Sequence, residues 1–373
     1  MASKTEVATP LNEARASFAV NLLRQVSKPN ENAFMSPMSI SLALGMVYAG
    51  AGGKTAEQIN QVLFGGTDAK EVHESFKKLV TELNKPKTGY QLDTANRLYG
   101  QKDYPLQADF TKMLTEHYQS EFKSVDFSMN TAVAAEINKW VEEQTRNRIK
   151  DLISPDALDE MTKLILVNAI YFKGDWKDKF NEQFTKKEKF YVTPEKTVEV
   201  DMMRQKKDSF LYHEDEEVQV LGMKYVAENL AMFAFLPKKR DGLELFEKSL
   251  TGPKLLKLIA GCYAREVEVH FPRFKLEQSF ELKKALSELG IKDAFTGNAD
   301  LTRMTGTRDL FVSSVIHKAF VEVNEEGSEA AAATAVVMAR CGAIAMGRPL
   351  VFRADRPFLF AIQDYNKGHV MFL

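Results

Sequence analysis

The sequence predicts an α+β fold. Segments with apolar residues at helical spacing crowd the first 150 positions, strand-like runs crowd the remainder, and the two do not alternate as repeated βαβ units would require. No internal repeat or long linker divides the 373 residues, so one domain spanning 1–373 is expected.

Taken in order, Phe18, Leu22 and Val26 recur one turn apart and predict a helix over 12–27. Ser36 followed by Pro37 reads as a cap with proline at the first helical position, opening the run MSISLALGMVYAG. Thr55 and Gln58 form a capping-box pattern ahead of Ile59, Val62 and Leu63. Ile137, Trp140 and Val141 share a face over 132–146. Leu282, Leu286 and Leu289 form a stripe over 279–290, where Gly290 supplies the stop. Among the strands, LILVNAIYF (164–172) and LAMFAFLP (230–237) are apolar almost throughout, as strands covered on both faces should be. VEVHF (267–271) and FVEV (320–323) alternate, which predicts one wetter face.

Composition excludes several function classes. At 45% hydrophobic and 27% charged residues the chain is ordinarily globular. Fifty basic side chains against 51 acidic ones give a net charge of -1, which supplies no global field for nucleic acid or an anionic membrane. No apolar stretch reaches the ~18 residues of a membrane span. The first thirty residues lack the apolar core of a signal peptide. A soluble protein is expected, cytoplasmic as the chain stands and extracellular if a leader was removed. Two cysteines, Cys262 and Cys341, are too few for a disulfide framework or a structural zinc site.

Motifs for catalysis are missing. Gly52-Gly53-Lys54-Thr55 resembles the end of a phosphate-cradling loop, but the glycine required five positions before Gly53 is Tyr48, and the preceding residues read as helix. The six histidines are scattered without a metal-ligand pattern, no G-x-S-x-G elbow presents a serine, and nothing calls for a cofactor. A hydrolase therefore has no motif behind it. The distinctive segment is Glu325-Glu326-Gly327-Ser328-Glu329-Ala330-Ala331-Ala332-Ala333-Thr334-Ala335-Val336-Val337-Met338-Ala339-Arg340-Cys341-Gly342. By propensity its four alanines make a short helix with too little apolar bulk to anchor it. As a strand it places Ser328, Ala330, Ala332, Thr334, Val336 and Met338 on one face. From Ala330 to Ala339 such a strand could slide between two others without burying a charge.

This segment closely resembles the reactive-centre-loop hinge of the serpins, and the likeness extends along nearly the whole chain. Asn32 to Pro37 and Gly53-Lys54-Thr55 are similar to the family's early helices, and Thr94 to Tyr99 to a following strand. Leu166 to Trp176 is similar to the central strand and turn, and Phe352 to Ile362 to the family signature around Asp355-Arg356-Pro357-Phe358. The resemblance implies three β-sheets, eight or nine helices and an exposed loop at about 325–350. It also implies a monomeric inhibitor whose partner is a serine protease, with Glu325 to Thr334 as the hinge. Members usually continue past the last strand with a Gly-Arg stretch and a proline, whereas this sequence stops at Phe372-Leu373.

The family's usual spacing from Gly327 puts Cys341 before the scissile bond and Gly342 after it. Pocket chemistry prefers Arg340, whose guanidinium suits trypsin-like proteases. Met346 is a third candidate, for an elastase-like or chymotrypsin-like enzyme. A carrier or chaperone of the same fold is the alternative, although the small hinge residues disfavour it. Lys77-Lys78 and Lys238-Lys239-Arg240 raise a glycosaminoglycan as a further partner, against the commoner solvated lysine face. Cys341 is a redox switch only if its thiol is exposed.

Overall fold

A computed structural model describes residues 9–86, 88–227, 229–326 and 350–373. Among them are ten α-helices: α1 (Pro10–Val26), α2 (Pro37–Gly50), α3 (Gly53–Phe64), α4 (Ala69–Leu83), α5 (Ala108–Met113), α6 (Asn130–Gln144), α7 (Leu243–Ser249), α8 (Gly252–Ala260), α9 (Lys283–Leu289) and α10 (Thr302–Thr305). Four-residue α10 is the one beyond the expected eight or nine. The strands are β1 (Tyr90–Gln101), β2 (Phe122–Val125), β3 (Leu164–Gly174), β4 (Lys186–Tyr191), β5 (Thr197–Glu214), β6 (Val218–Lys224), β7 (Leu230–Pro237), β8 (Tyr263–Pro272), β9 (Phe274–Glu281), β10 (Val312–Val323), β11 (Leu350–Arg353), β12 (Leu359–Asp364) and β13 (His369–Phe372).

One sheet has five strands in the order β2-β1-β3-β10-β9. The other eight strands form one hydrogen-bonded assembly in two parts, which together with the first sheet account for the three sheets expected. The 18-residue β5 joins the parts: Thr197 to Met202 pair with β4, Met202 to Tyr212 pair with β8, and its last residues, Leu211 to Glu214, also pair with β6. From β6 the second part continues through β7 and β12 to β13, while β11 lies on the outer edge of β8.

β3 is buried on both faces from Leu164 to Phe172, as its apolar run predicts. Ile165, Val167, Ala169 and Tyr171 pack under α6 with Val133, Ile137 and Val141. On the opposite face Leu164 and Leu166 meet the core built by α1 and α2, and Ile170 and Phe172 meet a core shared with β6, β7 and β12. Ser36 caps α2 by accepting from Ser39 N at 3.2 Å, with Pro37 at the first turn.

Three local expectations are corrected. The capping box at Thr55 does not form, because α3 starts at Gly53 and both side chains are taken by tertiary partners. Thr55 Oγ1 accepts from Asp300 N at 2.9 Å, and Gln58 Oε1 accepts from Lys292 N and Asp293 N at 2.8 Å. The helix expected from 279 starts only at Lys283, since Ser279, Phe280 and Glu281 pair with Lys318, His317 and Ile316 as strand. The wetter face of VEVHF is confined to Glu268, His270 being buried. The stop at Gly290 stands, with φ at 118°, a left-handed value suited to glycine.

Candidate functional site

The site is assembled where β3 and β10 lie side by side. They run parallel and are hydrogen-bonded to each other from Leu164/Val312 to Phe172/Val321, with one irregularity between Val312 and Ser314. The outer neighbours β1 and β9 are antiparallel to this pair. Parallel pairing is slightly weaker per residue than antiparallel pairing, and this seam is the longer of the sheet's two parallel pairings, the other being the four-residue β1–β2 edge.

Midway along the seam a buried polar network bolts it shut. Asn168 interrupts the apolar run of β3, and its Oδ1 is hydrogen-bonded by His317 Nδ1 of β10. Asn168 Nδ2 donates to Ser39 O at 3.1 Å and Ser39 Oγ at 2.6 Å, and contacts Asn96 Oδ1 of β1. His317 Nε2 accepts from Ser36 N at 3.1 Å, and Ser36 Oγ donates to Met371 O at 2.6 Å. These bonds define the neutral Nδ1–H tautomer. A second proton would set Nε2–H against the Ser36 N–H, and burial accordingly pushes the His317 pKa down to about 3.

At the end of β10 the chain is held as it leaves the sheet. Trp176 Nε1 donates to Asn324 O at 2.8 Å, Trp176 N to Glu326 O at 3.2 Å and Phe180 N to Glu325 O at 2.9 Å. Trp176 is itself stacked on Tyr225 at 4.5 Å. The Glu325 carboxylate is buried, 2% exposed, and accepts from Thr185 Oγ1 at 2.7 Å. Its other oxygen lies 3.6 Å from Arg273 Nη1, and Arg273 also pairs with Asp201 at 2.7 Å. A buried carboxylate so paired is costly to strip of one partner.

Of the residues singled out from sequence, Glu325 and Glu326 are thus placed at the end of β10. Gly327, Ser328, Glu329, Ala330, Ala331, Ala332, Ala333, Thr334, Arg340, Cys341, Gly342 and Met346 lie outside the described residues. Sequence reasoning missed Ser36, Ser39, Asn96, Asn168 and His317. The available signal was Asn168 itself, one amide in a run otherwise apolar. The glycine pair at 52–53 caps α3 beside the Asp300 carboxylate, 3.1 Å from where a Gly52 Cβ would stand, which is no phosphate cradle. Cys262 is half-buried, and burial pushes its thiol up to about 12, away from the thiolate form that reacts. Lys238 pairs with Glu214 at 3.3 Å and Arg240 lies 4.2 Å over the Tyr191 ring, while Lys77 and Lys78 are exposed on α4. Among the described residues no three His, Cys, Asp or Glu side chains gather as a metal site, and no helix is long and apolar enough to cross a membrane.

A family profile described as Serpin (serine protease inhibitor) matches residues 13–373. The leukocyte elastase inhibitor of Equus caballus is 44% identical over 97% of this chain and 98% of its own. Serpin B3 of Homo sapiens is 42% identical over 97% of each chain. In three dimensions the chain superposes on uncleaved ovalbumin with a TM-score of 0.88, at 31% identity and over 97% of this chain and 98% of the other.

Proposed function

The chain belongs to the serpin family, and from that premise we propose that it inhibits serine proteases as a suicide substrate. The observation that carries the reading is the β3–β10 seam. The chain leaves β10 at Glu325–Glu326, so a segment that turned back between the two strands would run antiparallel to both. One parallel contact would be exchanged for two antiparallel ones. The small, uncharged residues from Ala330 to Ala339 suit such a lane.

The protease serine Oγ attacks the carbonyl carbon of the residue before the scissile bond, and the bond to the next nitrogen breaks. The fragment that follows leaves with a new amino terminus, and its upstream neighbour stays as an ester on the protease. Insertion of Ser328 to Arg340, thirteen residues or about 43 Å when extended, carries the protease across the body of the inhibitor. Distortion there displaces the groups that activate water, and misplacement on the order of 1 Å can cost about 10²-fold in rate. The ester persists.

In this reading the whole chain acts as one unit, Glu325 to Thr334 are the hinge and Arg340–Cys341 is the scissile bond, which favours trypsin-like targets. The name of the equine relative keeps an elastase-like target, and a cut at Cys341–Gly342 or after Met346, in the same experiment. The chain is incubated with trypsin and with elastase, run on a denaturing gel, and the released C-terminal fragment is weighed. A stable complex with trypsin and a fragment beginning at Cys341 are expected. Clean proteolysis without a complex would sink the proposal.

A further inference from the structure

α1, α2 and α4 meet the start of β13 around a pocket that the inhibitory seam does not use. Its lining includes Asn12 and Arg15 of α1, Ser41 of α2, Phe76 of α4 and His369 of β13, and it contains no acidic side chain. Arg15 Nη2 donates to Ser75 Oγ at 2.6 Å, and the guanidinium carbon lies 4.9 Å from the centre of the Phe76 ring. Arg15 Nε is shielded from solvent and has no hydrogen-bond partner among the described residues. No carboxylate of the described residues pairs with this guanidinium; the neighbour that acts on it electrostatically is the Tyr118 hydroxyl.

A charged donor left without a hydrogen-bond partner inside a fold is destabilising. Burial pushes the Arg15 pKa down only to about 10, so the charge remains at neutral pH. His369 beside it is pushed down to about 4, first by burial and then by the charges of Arg15 and Lys367, and is neutral. A cation among the apolar side chains of Phe76, Leu79 and Met38, with the Ser41 hydroxyl and the Asn12 amide also in the lining, has no counter-charge there. We propose that this pocket binds one free inorganic oxyanion of the phosphate or sulfate class, with Arg15 Nε as its principal donor. The low-dielectric walls strengthen a charge-assisted hydrogen bond there relative to one in water. A bound anion would tie α1 to α4 and β13.

The test uses the full chain and inorganic phosphate, with sodium chloride added to hold ionic strength constant. Thermal melting should show a saturable rise in Tm with phosphate that chloride does not give, and calorimetry a stoichiometry near one. Arg15→Gln should weaken phosphate about tenfold or more, the scale of one lost charge-assisted hydrogen bond. Arg15→Lys keeps the charge but moves the donor, and serves if the glutamine variant does not fold; a loss of several-fold is expected. No saturable effect beyond chloride, or unchanged affinity in either folded variant, overturns the assignment. A phosphate monoester that bound as well as free phosphate would overturn the assignment to a free ion.

Discussion

His317 of β10 and Asn168 of β3 face each other across the seam of the five-stranded sheet and are joined by a hydrogen bond between Nδ1 and Oδ1. A strand entering between them has to break that bond. The same two side chains are tied to Ser36 and Ser39 at the start of α2, so opening the sheet also disturbs the helix beneath it.

Asn168→Ala should therefore loosen the seam. The substitution leaves His317 Nδ1 without its acceptor in a buried place, at about 1–3 kcal/mol, while the Ser39 hydroxyl keeps its bond to Asn96 Oδ1. A fall of several degrees in Tm is expected in the uncleaved protein, with faster loss of inhibitory activity on mild warming. Wild-type melting and wild-type shelf life would contradict the role given to the network.

Acid should destabilise the uncleaved form in a defined window. His317 is held near 3 by burial, and His73 and His369 near 4, burial being the first cause in each. Unfolded, all three return to an ordinary value of 6.5. Between 6.5 and about 4 the unfolded chain binds more protons than the folded one, so stability is full above 6.5 and declines as pH falls. The slope is up to ~1.4 kcal/mol per pH unit for each imidazole. Urea midpoints measured from pH 7.5 to 4.5 should drop, and His317→Gln should flatten the curve by about one proton's worth. An unaltered slope in that variant would refute the assignment.

Glu325→Ala should free the hinge. It removes the Thr185 hydrogen bond and the Arg273 ion pair while Arg273 keeps Asp201, so the sheet itself stays paired. A synthetic peptide of residues 328–339 should anneal to this variant several-fold faster than to wild type, followed by the gain in heat resistance that insertion brings. Equal rates would mean that the contacts of Glu325 do not restrain the seam.

Ser328→Arg or Thr334→Arg should turn inhibition into plain proteolysis. In a strand both residues share the face with Ala330 and Ala332, and a guanidinium carried into the sheet with them pays a large desolvation cost. Titration against trypsin should need many more moles of variant than of wild type per mole of enzyme stopped. Wild-type stoichiometry would show that this face is not buried.

The fold was legible wherever burial alone chose the structure. The unbroken apolar run of β3 and the Ser36–Pro37 cap of α2 are visible as patterns, and the structure keeps both. Legibility failed where a distant partner outbid a local rule. Thr55 and Gln58 have the spacing of a capping box, yet Asp300, Lys292 and Asp293 claim their oxygens from more than 230 residues away. Phe280 has helical company in sequence but is drawn into a strand by His317. The acceptor seam was hidden for the same reason, since Asn96, Asn168 and His317 meet only once three strands are aligned.

The pairing of β11 with β8, and of β12 with β7 and β13, settles what a cut chain would look like. Any break between Glu326 and Leu350 leaves both pieces interlocked, with Phe360 and Ile362 of the shorter one sunk in the common core. The product would travel as a noncovalent heterodimer of unchanged size, and only a denaturant would reveal that the polypeptide had been severed.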